Sequence, residues 1–227
     1  MKKEIIVTGK TIDEALANAA EQLGVKAEDV KYEVIDEPKK GLFGIGAVPA
    51  KIQATYTLKG EEIALEFVKK LVSDMQLDVT VEMSYSAERE GMLIDIQGAG
   101  AGVLIGHHGD TLDSIQYLAN LAANKKIDGE KRAHVKITVD AENYRAKREE
   151  TLRALARRMA DKVLKYKKSV MLEPMNPYER RIIHSEIQGI EGVSTNSIGS
   201  ENNRKIVVYL EDQKVAAQKV YDEDDEY

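Results

Sequence analysis

Two short stretches hold the residues best suited to chemistry. The first is Gly106-His107-His108-Gly109. Glycine carries no Cβ, so a sugar-phosphate backbone can lie directly on such a loop. Asp110 or Thr111 can cap a helix that starts at once, and the amides of its first turn favour negative charge. The second is Arg180-x-x-x-His184. Asn176 as N-cap, Pro177 at the first helical position and Glu179 two residues on set the register of a helix here. Arg180 and His184 then lie one turn apart on one face, with Arg181 beside them. A permanently charged planar fork next to an imidazole suits phosphate and base contacts. Ile182, Ile183 and Ile187 lie largely on another face and point to a core.

The elements that position the first stretch span 61–139. A helix is expected from Glu61 to Leu77, and strands from Val79 to Met83 and from Met92 to Ile96. An apolar helical turn runs into Gly106. After the loop, Leu112, Ile115, Leu118 and Ala122 recur at helical spacing. A strand from His134 to Val139 completes the order α-β-β-α-α-β. Gly98-Ala-Gly-Ala-Gly102 is no dinucleotide fingerprint, because Val103 stands where its last glycine belongs and no parallel crossover follows.

The second stretch belongs to 140–210. A long helix is expected from about Ala141 to Lys165, burying Leu152, Leu155, Ala156, Met159, Val163 and Leu164. A strand at Ser169 to Leu172 precedes the motif helix. Strands at Gly192 to Ile198 and Lys205 to Leu210 follow it, joined by a turn at Asn202 and Asn203. Basic residues crowd the long helix, Arg145 and Arg148 among them, and Arg204 sits beside the final turn. These are candidate phosphate contacts; the plainer reading is a solvated helix face.

Residues 1–57 read as β-α-β-β: a strand at Lys3 to Thr8, a helix at Thr11 to Leu23 ended by Gly24, and strands at Val30 to Asp36 and Val48 to Thr57. Between the last two lies Lys39-Lys40-Gly41-Leu42-Phe43-Gly44-Ile45-Gly46. Leu42 and Phe43 either tuck into the domain's own core or form a partner-docking knob flanked by Lys39 and Lys40. No Gly-Lys-Ser/Thr follows, so this is not a phosphate loop.

The chain has 227 residues, 43 % hydrophobic and 32 % charged, a globular balance that allows one to three domains. No apolar run is long enough to span a membrane. Cysteine is absent, which excludes thiolate metal sites and disulfides; no cofactor is expected, and adjacent His107 and His108 are poorly placed to share a metal ion. No clustered carboxylates or nucleophile–base pattern points to an enzyme. The net charge is −6, and five of the negative charges stand in Asp222-Glu223-Asp224-Asp225-Glu226. Without that tail the chain is near neutral, so the placement of charge matters more than its sum. The tail from 211 to 227 is expected to be disordered.

Three parts of the chain carry a family resemblance. Lys39 to Gly46 in its β-α-β-β setting resembles the Jag N-terminal domain (1–57). The α-β-β-α-α-β order around Gly106 to Gly109 resembles the prokaryotic-type KH domain (61–139). Arg180-x-x-x-His184 in its α-β-α-β-β setting resembles the single-strand-binding "R-three-H" domain (140–210). Together, in this order, they resemble the Jag (SpoIIIJ-associated, KhpB-like) family. The resemblance implies an α+β fold of three small domains in series. It also implies a bacterial, cytoplasmic, non-enzymatic RNA-binding protein linked to cell elongation, envelope synthesis or sporulation, with RNA chaperoning as one activity. The implied partners are single-stranded RNA, with single-stranded DNA as a rival, a small KH-domain protein or a second copy of the chain, and a membrane or envelope-machinery protein at the N-terminal domain. The alternative is a protein scaffold to which nucleic acid is incidental. In place of the usual basic pair, the clamp loop has two histidines, so binding there should tighten as pH falls toward 6. The family's long charged linker is reduced here to Leu58-Lys59-Gly60.

Overall fold

A computed structural model describes residues 1–39, 48–126, 133–200 and 203–213. Lys40, Leu42 and Phe43, the turn residue Asn202 and the acidic tail from 214 onward lie outside these. The described chain is α+β, with three small three-stranded sheets and six α-helices. It divides into two compact units: Met1–Ile96 with Ser114–Val139, and Gln97–Asp113 with the chain from Asp140 onward.

The first sheet has the order β1-β3-β2, from β1 (Lys2–Gly9), β2 (Val30–Asp36) and β3 (Ala50–Thr57). Both pairings are antiparallel. Helix α1 (Ile12–Leu23) packs Ala15, Ala19 and Ala20 with Val7, Val30, Ile52 and Ala54. Thr11 caps it by accepting the Glu14 amide, and left-handed Gly24 ends it. The Glu14 carboxylate accepts from the Lys10 amide at 2.6 Å, one residue before the position a capping box would use. Lys39 and Val48 exchange both backbone hydrogen bonds, so the ends of the glycine-rich loop are pinned together.

The second sheet has the order β4-β5-β6, from β4 (Thr80–Ser86), β5 (Gly91–Gln97) and β6 (Ile137–Ala141), and α2 (Gly60–Asp74) precedes it. Helices α3 (Ala101–Ile105) and α4 (Asp110–Ala123) flank the Gly-x-x-Gly loop. On α4, Leu112, Ile115, Ala119 and Ala123 are buried, while Leu118 is 47 % exposed. The apolar stripe is therefore rotated from the one the spacing suggested. The cause is a polar ladder one turn apart. Asn124 brackets the Val135 backbone, donating to its carbonyl and accepting from its amide, both at 2.8 Å. Asn120 does the same to Ile137, and Gln116 accepts from the Val139 amide at 3.1 Å. These amides act as a substitute strand for this side of β6 and its approach, and Tyr117, Leu118 and Leu121 are left facing outward.

The third sheet has the order β7-β9-β8, from β7 (Val170–Met171), β8 (Val193–Ile198) and β9 (Lys205–Leu210). Helices α5 (Tyr144–Tyr166) and α6 (Pro177–Ile187) lie against it. Leu152, Ala156, Ala160 and Val163 of α5 join Ile182, Ile183 and Ile187 of α6 and Ile206, Val208 and Leu210 of β9 in one core. Leu155, Met159 and Leu164 pack at its margin. The long helix starts at Tyr144 rather than Ala141, because β6 continues to Ala141 and Glu142 and Asn143 both take left-handed backbone. Beyond β9, Glu211–Gln213 form one short helical turn, so regular structure runs slightly past the expected start of the tail. No helix among the described residues is long and apolar enough to cross a membrane.

Candidate nucleic-acid interface

The Gly-x-x-Gly loop is tightly built. Gly106 has φ 72° and ψ −164°, a conformation open only to glycine. A Cβ there would collide with Thr111 Oγ1. Gly109 has φ 89°, and a Cβ on it would come within 2.8 Å of the Tyr144 ring. The glycines are needed for the loop's own closure. Between them, the His107 and His108 rings stack at 3.9 Å with 21° between planes. His107 is exposed and His108 half-buried. The first turn of α4 adds Asp110 and Asp113, so the groups here that could meet an anion are amides and imidazoles, with no fixed positive charge on the loop itself.

Helix α6 starts as its sequence demands. Asn176 Oδ1 accepts the Glu179 amide at 2.9 Å, and Pro177 follows the cap. The Glu179 side chain does not close a capping box. It turns inward, 3 % exposed, and accepts from Arg148 Nε at 2.7 Å. Its second oxygen is buried with no hydrogen-bond partner.

Arg180 and His184 share a face, as the spacing requires, but neither is a loose surface group. Arg180 is half-buried and donates from Nη1 to the Met175 carbonyl at 2.6 Å. Among the described residues it meets no carboxylate. The nearby charge is Arg204, and burial, followed by that guanidinium, pulls the Arg180 pKa down. Both ring nitrogens of His184 are engaged, Nδ1 with Thr195 Oγ1 and Nε2 with Ser197 Oγ at 2.9 Å. Burial first, then Arg180 and Arg204, lower its pKa. His184 is therefore neutral near pH 7, a fixed part of the wall between α6 and β8. Arg181 and Arg204 are exposed.

The basic residues of α5 are placed differently. Arg145 pairs with Asp113 at 2.7 Å and Arg148 with Glu179. Arg153 bridges Glu149 and Glu186, and Arg157 also binds Glu186, at 2.6 Å. Arg145 and Arg148, expected as phosphate contacts, thus each pair with a carboxylate within the fold. Sequence reading missed Thr195, Ser197, Tyr144 and the pairing of Glu179. The hydroxyls alternate along β8, which puts both on one face of the strand; that was the available signal for Thr195 and Ser197. Of the N-terminal candidates, Lys39 is described and exposed.

Comparison with known proteins covers most of the chain. The family profile described as Jag N-terminus matches residues 7–56. The one described as KhpA/KhpB, KH domain, matches 61–137, and the R-three-H domain profile matches 150–210. A protein named RNA-binding protein KhpB from Clostridium symbiosum is 38 % identical over 206 residues, 91 % of each chain. One of the same name from Bacillus subtilis is 36 % identical over 91 % of this chain and 98 % of its own. Another from Streptococcus pneumoniae is 30 % identical over 82 % of this chain but 54 % of its own. The N-terminal, KH and R-three-H folds thus occur in the order the residues suggested, and the chain belongs to the KhpB (Jag) family.

Proposed function

We propose that this protein binds single-stranded RNA through two adjoining surfaces, the Gly106–Gly109 loop and the Arg180/Arg204 face of the R-three-H fold. One observation carries the reading. Arg180 and Arg204 lie within electrostatic reach of each other, Arg180 is half-buried, and no described carboxylate neutralises either. Holding like charges together is unfavourable unless an anion joins them, and a phosphate is the anion that two guanidinium forks fit best. The glycine loop falls in the same compact unit as this pair, so one strand can engage both, each site raising the effective concentration of the other. Arg181 extends the face; Arg145 and Arg148 support it from within. Aromatic residues make up only 5 % of the chain, which favours backbone contacts over base stacking as the source of affinity.

Fluorescence anisotropy with a labelled single-stranded RNA tests this. Binding should weaken steeply with salt and fall in Arg180→Ala with folding intact. Unchanged affinity in that variant would remove the site. The names of the KhpB relatives support RNA over single-stranded DNA as the ligand. RNA chaperoning, a cytoplasmic setting and a role in elongation, envelope synthesis or sporulation rest on family resemblance alone. A protein-partner role, with a small KH-domain protein or a second copy, gains one observation: the outward apolar residues Tyr117, Leu118 and Leu121 on α4. Docking through Lys39 and the loop after it remains a separate proposal.

A further inference from the structure

Residues 138–149 lie between the stretches matched by the KH and R-three-H profiles, and neither match assigns them a role. Yet this short segment holds much of what fixes the clamp loop. Glu142 Oε1 accepts the Gly98 amide at 2.8 Å, at the entry to α3. Arg145 Nη2 binds Asp113 at 2.7 Å, in the first turn of α4. The Tyr144 ring lies directly under Gly109. The segment is itself rigidly specified. Asp140, 3 % exposed, accepts from the Ala141 amide at 2.9 Å. Glu142 and Asn143 are consecutive non-glycine residues with φ near +54°, a conformation kept only where the surroundings enforce it. Further along, Arg148 binds Glu179, the residue before Arg180.

We propose that Tyr144, with Glu142, is a positioning residue of the nucleic-acid clamp: it sets the Gly-x-x-Gly loop on the helix that also anchors the Arg180 face. The glycine at 109 follows from this contact, since any side chain there would push against the ring. Tyr144 does not touch the strand in this arrangement. It acts through the loop, so that loop and arginine face are presented in one fixed relation. Its surroundings fit a structural post. Burial raises its phenol pKa, with Glu179, Asp110 and Asp113 adding to the rise and Arg148 opposing it, so it stays neutral and un-ionised at working pH.

The inference rests on the RNA reading only for its binding arm, and a second arm needs no RNA. In the full-length protein, hydrogen exchange would be followed in peptides spanning 98–113 and, as an internal control, in β8 and β9. Tyr144→Ala should speed exchange in 98–113 by about tenfold or more, leave β8 and β9 unchanged, and weaken binding of a labelled twelve-uridine RNA by about tenfold. Tyr144→Phe keeps the ring and should keep both properties within about twofold. Glu142→Asn tolerates the left-handed backbone but is too short to reach Gly98, so it should loosen 98–104 without disturbing the core. Unchanged loop exchange in both Tyr144→Ala and Glu142→Asn would overturn the proposal. So would loss of binding in Tyr144→Phe with the loop still protected, which would make the hydroxyl a direct contact. If Tyr144→Ala unfolds the whole unit, Glu142→Asn decides. If the wild type fails to bind the RNA, the function reading falls, while the exchange arm still decides whether Tyr144 holds the loop.

Discussion

Two groups of arginine in the second compact unit differ in what surrounds them. On α5, Arg145, Arg148, Arg153 and Arg157 each meet a carboxylate at 2.6 to 2.9 Å. On α6 and at the approach to β9, Arg180 and Arg204 lie within electrostatic reach of each other, and neither pairs with a described acid. The first group is denser in the sequence and looks more like an electrostatic footprint. The second is sparse and is the one that, on the proposed reading, takes phosphate. On that reading, a run of basic residues reports a binding surface only after its internal pairs have been discounted. Here Glu179 and Glu186 of α6 pair with Arg148, Arg153 and Arg157 and so join α5 to α6.

The contrast can be broken at several points. The largest effect should come from Arg148→Ala. It strands the Glu179 carboxylate, whose other oxygen already lacks a partner, and breaking a buried pair from one side costs about 3 kcal/mol. Chemical denaturation would show this as a lower midpoint, with RNA affinity largely kept at temperatures where the variant is folded. Replacing both partners, Arg148→Met with Glu179→Leu, should recover most of the loss, because no buried charge is then left alone.

Next in size, Arg180→Ala and Arg204→Ala should each weaken single-stranded RNA binding by about tenfold or more, the worth of one charge-assisted contact. Stability should hold or rise slightly in Arg204→Ala, which removes a repulsion, while Arg180→Ala also gives up the bond to the Met175 carbonyl and should cost about 1 kcal/mol or less.

His184 gives a smaller, pH-dependent effect. Its folded pKa lies below that of the unfolded chain. Between the two values the unfolded state holds the extra proton, so stability falls as pH drops below about 6.5 and levels off once the folded pKa is passed. His184→Gln keeps one partner for the β8 hydroxyls and removes that titration. Urea midpoints at pH 7.5 and 5.5 should lie closer together in the variant than in the wild type.

The smallest effect is expected for Arg157→Ala. Arg157 is well exposed, and Glu186 keeps its bond to Arg153. A change within about 0.5 kcal/mol by denaturation, with unchanged RNA affinity, would sharpen the distinction between the two arginine groups.

Much of this was legible in the chain itself. Thr11 with Gly24, and Asn176 with Pro177, gave α1 and α6 their limits because capping is local chemistry. The isoleucines of α6 gave its core face for the same reason. What could not be read were choices between two partners for one side chain. Glu179 suits a capping box in sequence, but Arg148, 31 residues earlier, offers a charge at the same place. The stripe on α4 was misread at Leu118 because Gln116, Asn120 and Asn124 claim the side facing β6. Their four-residue spacing was visible, but nothing local says that a row of amides will substitute for a strand. The site shows the same limit. Spacing put Arg180 and His184 on one face, while the engagement of both imidazole nitrogens depends on a strand that arrives 11 residues later.

The central claim is that anion binding belongs to Arg180 and Arg204 and not to the paired arginines of α5. A salt titration of RNA binding, read by anisotropy, tests it most directly. The slope of log affinity against log salt should flatten by about 1.4 in the double variant Arg180→Ala/Arg204→Ala, two single-strand phosphate contacts at about 0.7 each. It should be unchanged in Arg153→Ala/Arg157→Ala. The reverse pattern, with the α5 pair carrying the salt dependence and the Arg180/Arg204 pair none of it, would contradict the account.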